Sequence, residues 1–245
     1  MKILVCITNV PDTTAKISFT DNNTKFNKAG VQYIIGPYDD YALARAVELK
    51  EAQGGTITVL HVGEADSDPQ IRKALAIGAD DAIRVNTEPA DSYYVATQIA
   101  HIAQQNSYDL ILMGRESIDF NSGVVHGLVG EMLGIPSFSP VMKLDIKDGK
   151  AEFAREIDGG KEYLEATLPL VLGCQEPIAE WKIPNMRGIM TARTKPLQVV
   201  EPVSVDDMTS LESYSLPAPK GECKMIPVEE AEKLITLLRT EAKVL

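Results

Sequence analysis

The chain has 245 residues, a formal net charge of −11 and a pI near 4.8. That length can bury a sizeable core, as one α/β domain with an appendage or as two small domains. The acidic balance argues against a nucleic-acid partner, which needs a surplus of Lys and Arg, and no apolar run approaches the roughly 20 residues of a membrane span.

Residues 2–7, Lys-Ile-Leu-Val-Cys-Ile, predict a first strand, with no signal-peptide cleavage pattern before it. The expectation is a bacterial-type cytoplasmic protein without direct membrane insertion. A polar turn broken by Pro11 follows, at the strand end where open parallel sheets bind ligands. Ile17, Phe19 and Phe26 flank Asp21-Asn22-Asn23 and predict a β-hairpin over 16–28 with a polar tip. Gly36-Pro37 stops the next extended run, and Asp39 or Asp40 is placed to cap a helix carrying Ala42, Ala46, Val47 and Leu49 on one face. Gly54-Gly55 ends that helix. Residues 56–62 predict a second strand, 69–77 a short helix, 82–85 a third strand and 91–106 an amphipathic helix.

The central stretch is 109–123. Leu110-Ile111-Leu112-Met113 is apolar throughout, as a parallel strand covered on both faces must be. Gly114 ends it, and Asn121 and Ser122 are expected to cap a helix through Val125, Leu128, Val129, Met132 and Leu133. Strand, glycine, polar loop and helix start would aim free backbone N–H groups and a helix dipole at one spot, which suits a phosphate. An ordinary strand-to-helix connection fits the same spacing. Alternating strands and helices over the first 135 residues predict a parallel sheet with helices on both faces. The turns Thr8-Asn9, Gly63-Glu64 and Gly114-Arg115 would then meet at one edge.

From 136 the pattern changes. Segments 142–147, 151–156 and 161–172 are separated by Asp148-Gly149-Lys150 and Asp158-Gly159-Gly160, which are hairpin signals. They predict a small antiparallel layer with 168–172 as its most buried strand. After Cys174 regularity falls away. Pro177, Pro184, Pro196, the single Trp181, and Lys182, Arg187, Arg193 and Lys195 read either as a solvated connector or as a docking segment. In the docking reading, Ile183 is ringed by basic charge for an acidic partner. Residues 201–225 show no periodicity, and 228–240 predict a last amphipathic helix with Ala231, Leu234, Ile235 and Leu238 on one face. An irregular arm of that length suggests a permanent partner subunit. The expected organisation is a nucleotide-binding α/β domain over 1–200, with a recognition segment at about 176–195, and a C-terminal arm over 201–245.

No Walker A, GxGxxG, GxSxG or HExxH motif is present. Cys6, Cys174 and Cys223 form no CxxC pair, and His61, His101 and His126 lack ligand spacing, so neither a disulfide framework nor a metal site is expected. The residues themselves predict a nucleotide- or cofactor-binding module without its own catalytic machinery.

Seven stretches, in this order and spacing, resemble the beta (small) subunit of electron transfer flavoprotein over essentially the whole length. They are Lys2 to Cys6, Gly36 to Asp39, Ile71 to Asp80, Gly114 to Asp119, Arg155 to Gly160, Glu176-Pro177 and Ile183 to Arg193. The resemblance implies a heterodimer whose alpha subunit holds most of the FAD, and a beta subunit of adenine nucleotide alpha hydrolase-like fold that buries a structural AMP. It implies electrons taken from acyl-CoA dehydrogenases, as in fatty acid beta-oxidation, and passed to electron transfer flavoprotein–quinone oxidoreductase. The AMP contacts it implies are Cys6, Gly36, Pro37, Tyr38, Asp39 and Val62, together with Gly114, Arg115, Glu116, Ser117, Ile118, Asn121, Ser122, Gly123, Val124 and Val125, with the phosphate at 121–123. Thr13 and Tyr38 would stand near the alpha subunit's flavin, Thr13 where Tyr is usual. Trp181, Ile183, Pro184, Arg187 and Arg193 would form the dehydrogenase recognition segment, with Ile183 as anchor before Pro184. The loop departs from the family pattern: Glu116 replaces Gln, Ser117 Ala, Phe120 Gly, Asn121 Asp, Val124 Gln and His126 Gly. Two alternatives accompany this reading. One is a bifurcating variant with a second FAD in place of AMP and NADH as donor. The other is a stand-alone adenine-nucleotide sensor, against which the arm and the Ile183 segment speak.

Overall fold

The computed structural model describes every residue except Asp207. The strands are β1 Lys2–Cys6, β2 Asn9–Pro11, β3 Phe19–Thr20, β4 Lys25–Phe26, β5 Tyr33–Ile35, β6 Thr56–Val62, β7 Asp81–Val85 and β8 Leu110–Gly114. They continue with β9 Ser137–Lys147, β10 Lys150–Ile157, β11 Gly160–Thr167, β12 Leu170–Cys174 and β13 Leu197–Val200. The helices are α1 Pro37–Gln53, α2 Asp68–Ile77, α3 Ser92–Asn106, α4 Val125–Leu133, α5 Met186–Ala192 and α6 Ala231–Leu237.

One nine-stranded sheet organises the chain, in the order β11-β10-β9-β12-β8-β1-β6-β7-β13. From β9 to β13 every neighbouring pair is parallel, and β9-β10-β11 is antiparallel. The central run is apolar because alternate residues point into two different cores. Leu110 and Leu112 join Leu43, Val47, Ile71 and Leu75 under α1 and α2. Ile111 and Met113 join Ile99, Ala103 and Val129 under α3 and α4. Each such Leu or Ile, fully buried, contributes roughly 1.5–3 kcal/mol of transfer free energy.

Four expectations change in detail. The antiparallel strands are an extension of the same sheet. The expected strand 161–172 divides into β11 and β12, and β12 pairs parallel with both β8 and β9. Residues 175–200 are not all irregular: α5 packs beside α2, and β13 completes the sheet edge against β7. Lys195 belongs to this scaffold, its ammonium donating to the Leu75 carbonyl at 2.8 Å and to the Ala79 carbonyl. The arm finds a surface on its own chain as far as Tyr214, whose ring stacks on Phe19 with centroids 4.9 Å apart. Beyond it, the apolar stripe of α6, including Leu234 and Ile235, is uncovered. Among the described residues, no helix is long and apolar enough to cross a membrane.

Candidate functional site at the carboxyl edge of the sheet

A cavity of about 600 Å³ opens where β1, β6 and β8 end. Its deep wall is apolar, from Cys6, Val62, Met113, Ile99, Val125 and Leu128. Thr8-Asn9 and Gly114-Arg115 form its rim, as their positions after β1 and β8 predict. The Gly63-Glu64 turn leads away instead, the Gly63 N–H donating to the Val85 carbonyl at 3.0 Å. Ser92 at the start of α3, Phe120 and the arm residues Met208 to Leu211 supply the outer wall.

Two polar atoms in the lining are buried without a hydrogen-bond partner, Asn9 Oδ1 and His126 Nδ1. Orphaned polar atoms of this kind are costly unless something completes them. Beside His126, α4 begins with Val124 in the cap position and no side-chain cap. Its first-turn N–H groups therefore lack a partner within the helix. Apolar depth, two unsatisfied side-chain atoms and a bare helix start fit a nucleoside with one anionic group.

The helix start differs from the sequence expectation. Asn121 and Ser122 do not cap α4. Asn121 lies at φ +49° with its N–H on the Ser117 carbonyl at 2.8 Å, and Ser122 Oγ is 2.5 Å from Ser92 Oγ. Side-chain pairing across to α3 has taken the hydroxyl that would have capped the helix. The anion-facing end accordingly begins at Val124–Val125 rather than at 121–123. Asp39 and Asp40 do not cap α1 either, since Gly36 occupies that position without a side-chain bond. The Asp39 carboxylate faces inward and accepts from Thr8 N–H at 2.8 Å, Thr8 Oγ1 at 2.6 Å and Gly114 N–H at 2.7 Å.

Of the expected contact residues, Cys6, Asp39, Val62, Gly114, Arg115, Glu116, Ser117, Ser122, Val124 and Val125 line the cavity. Gly36, Pro37, Tyr38, Ile118, Asn121 and Gly123 lie outside the lining. Burial pushes the Cys6 thiol far up, with the Asp39 charge adding to the effect, so it serves as an inert wall atom. Arg115 is the single Lys or Arg of the lining, and it is engaged. One nitrogen is 3.0 Å from Glu116 Oε1, another donates to Gln175 Oε1 at 3.0 Å, and the guanidinium stands 5.0 Å from the Tyr38 ring centroid. Asp39, Asp91, Glu116 and Asp119 make the remaining charge of the lining acidic.

Asn9 belongs to the Thr8-Asn9 turn that the sequence places at this edge, whereas Asp91 carries no sequence signal for the site and His126 stands out only as a departure. Asp91 could have been recognised as the cap of α3, which it is, accepting from Tyr94 N–H at 2.7 Å. Its second oxygen accepts from Met208 N–H at 3.2 Å and Thr209 N–H at 3.0 Å, which holds the arm over the cavity.

The Ile183 segment is far along the chain from this cavity and strongly exposed, Ile183 by 75% and Trp181 by 56%. Pro184 and Arg193 border a shallow cleft with Pro69, Arg72 and Ile189. Arg187 is exposed on α5, which Asn185 caps by accepting from Gly188 N–H at 2.8 Å. Thr13 is exposed in the turn after β2, and Tyr38 is half-buried beneath Arg115. All three cysteines are free, and among the described residues no cluster of His, Cys, Asp or Glu could hold a metal ion.

The mixed but mainly parallel sheet defines an α/β protein with a ligand-sized cavity at its strand ends, the place where open parallel sheets bind ligands. An electron transfer flavoprotein domain matches residues 23–205. The electron transfer flavoprotein subunit beta of Bacillus subtilis is 35% identical over the full length of both chains. That of Syntrophomonas wolfei is 34% identical over all of this chain and 98% of its own, and that of Dictyostelium discoideum 29% over 99% and 98%. The chain belongs to the electron transfer flavoprotein family and resembles its beta subunits from end to end.

Proposed function

We propose that this chain is the beta subunit of a heterodimeric electron carrier, and that its cavity holds a structural AMP. The observation that carries the AMP reading is the pair of unsatisfied atoms, Asn9 Oδ1 and His126 Nδ1, in a cavity with an apolar deep wall beside the uncapped start of α4. The adenosine would fill the apolar depth, and the phosphate would face the first-turn N–H groups of α4. Four acidic side chains against one engaged Arg115 favour a single phosphate over the diphosphate of a second FAD.

The alpha subunit would hold the FAD, which supplies the electron storage. Thr13 and Tyr38, outside the cavity lining, are the residues of this chain offered to that flavin. The uncovered stripe of α6 supports an obligate partner and speaks against a stand-alone sensor. Ile183 and Trp181 would dock acyl-CoA dehydrogenases, and the quinone oxidoreductase would take the electrons on. No acid–base pair is assigned to this chain, so its role is that of a carrier subunit.

Calorimetric titration of the nucleotide-stripped heterodimer with AMP tests the site. One AMP per heterodimer is expected. Val124→Trp, at an exposed position of the lining, should weaken binding at least about tenfold by occupying the mouth. Unaltered affinity in that variant would move the ligand elsewhere.

A further inference from the structure

Asp39 is only 3% exposed, and it reaches into the gap between two strand ends that are neighbours in the sheet. Its oxygens divide the work. Oδ2 accepts from Thr8 N–H and Thr8 Oγ1, at the carboxyl end of β1, while Oδ1 accepts from Gly114 N–H at the end of β8. Two glycines leave room for it. A Cβ on Gly114 would come within 2.6 Å of Asp39 Oδ1 and 2.7 Å of Tyr38 Cβ, and one on Gly36 within 2.3 Å of Thr8 Oγ1 and 2.5 Å of Asp39 Oδ2.

From this we infer that Asp39 is a positioning residue of the nucleotide site. Its carboxylate clasps Thr8 to Gly114 and sets the spacing of the two rim segments, Thr8-Asn9 and Gly114-Arg115, between which the ligand enters. The inference rests on the AMP reading above and reassigns Asp39 from ligand contact to clasp.

The chemistry of the clasp requires an ionised carboxylate. Three donors converge on two oxygens, and an ionised carboxylate offers acceptors only. Burial pushes the Asp39 carboxyl up to about 6, with the Thr8 and Gly114 hydrogen bonds opposing that shift and Asp40 adding to it. The titratable groups around it are Cys6 of β1, Cys174 of β12 and Asp40 of its own helix. At neutral pH the carboxylate is charged and held by hydrogen bonds alone. Asparagine is nearly isosteric but would turn an NH₂ donor toward one of the three protein donors.

The test uses the heterodimer carrying Asp39→Asn, with amide hydrogen exchange of the nucleotide-free protein and calorimetric titration with AMP. Protection at Thr8 and Gly114 should fall, and AMP affinity should fall about tenfold, the consequence of leaving a buried donor unpaired. Thr8→Val, which removes only the hydroxyl donor, should weaken AMP binding by a smaller factor. Wild-type protection at both amides in Asp39→Asn, or wild-type AMP affinity, overturns the clasp. Should Asp39→Asn fail to assemble, Thr8→Val decides: unchanged AMP affinity together with unchanged Gly114 protection overturns it. A wild-type heterodimer that takes up no AMP overturns the nucleotide reading instead, and the exchange data then judge the clasp alone.

Discussion

Gln98 and Val203 exchange a pair of hydrogen bonds. Gln98 Nε2 donates to the Val203 carbonyl at 2.9 Å, and Val203 N–H donates to Gln98 Oε1 at 2.9 Å. A buried side-chain amide thus stands in for a strand neighbour and pins the start of the C-terminal arm to α3. Further along the arm, Met208 and Thr209 bond to Asp91 and form part of the outer wall of the cavity. The cavity and the arm therefore share a wall.

That arrangement predicts a kinetic effect. Gln98→Ala leaves the Val203 N–H and carbonyl without their partners, at a cost of about 1–3 kcal/mol. Limited proteolysis should cut the arm after residue 200 faster than in wild type, and bound AMP should dissociate faster. Unchanged proteolysis and an unchanged off-rate would mean that the arm is held from elsewhere.

Ile183 supplies a contrast. At 75% exposure it contributes little to the fold of this chain, so Ile183→Ala should leave the urea midpoint and the FAD content of the heterodimer unchanged. Electron transfer from an acyl-CoA dehydrogenase at limiting concentration should fall by the equivalent of about 1–2 kcal/mol, the scale of an interface hot spot. Wild-type transfer rates would remove Ile183 from the docking role.

The pH dependence of stability has two opposed sources. His61 is buried with its Nδ1 2.8 Å from the Ile7 carbonyl, and burial lowers its pKa below the usual 6.5, with nearby Arg84 acting in the same direction. The unfolded chain therefore binds a proton first, and this stability is present above 6.5 and lost as the pH falls. Asp39 acts the other way: its carboxyl rises from 3.8 to about 6, so its contribution is present below 3.8 and lost as the pH rises through about 6. His61→Gln removes the first source only. Urea unfolding at about pH 7.5 and about pH 5.5 should show a smaller acid loss in His61→Gln than in wild type. An equal loss would place the acid sensitivity on other groups.

Much of this architecture was legible in the sequence, and particular residues show why. Leu110 to Met113 read as a central strand because both cores demand apolar side chains. Asp21-Asn22-Asn23 read as a hairpin tip because these residues tolerate the left-handed region, and they adopt φ of 51°, 57° and 64°. The helix start at Asn121-Ser122 was misplaced because both are good caps by type, and only the fold reveals that Ser92 claims the Ser122 hydroxyl. Helix α5 has seven residues, too few to show a period, and β13 has four. The outer wall of the cavity was invisible for a different reason. Met208 to Leu211 come from a segment without periodicity, and tertiary contacts, among them those to Asp91, bring them there.

The cavity at the ends of β1, β6 and β8 is the proposed AMP site. The most direct measurement is to purify the heterodimer from co-expression, denature it and quantify the released nucleotides by chromatography. One FAD and one AMP per heterodimer are expected. Two FAD and no AMP would contradict this and make the 114–126 loop part of a second redox site.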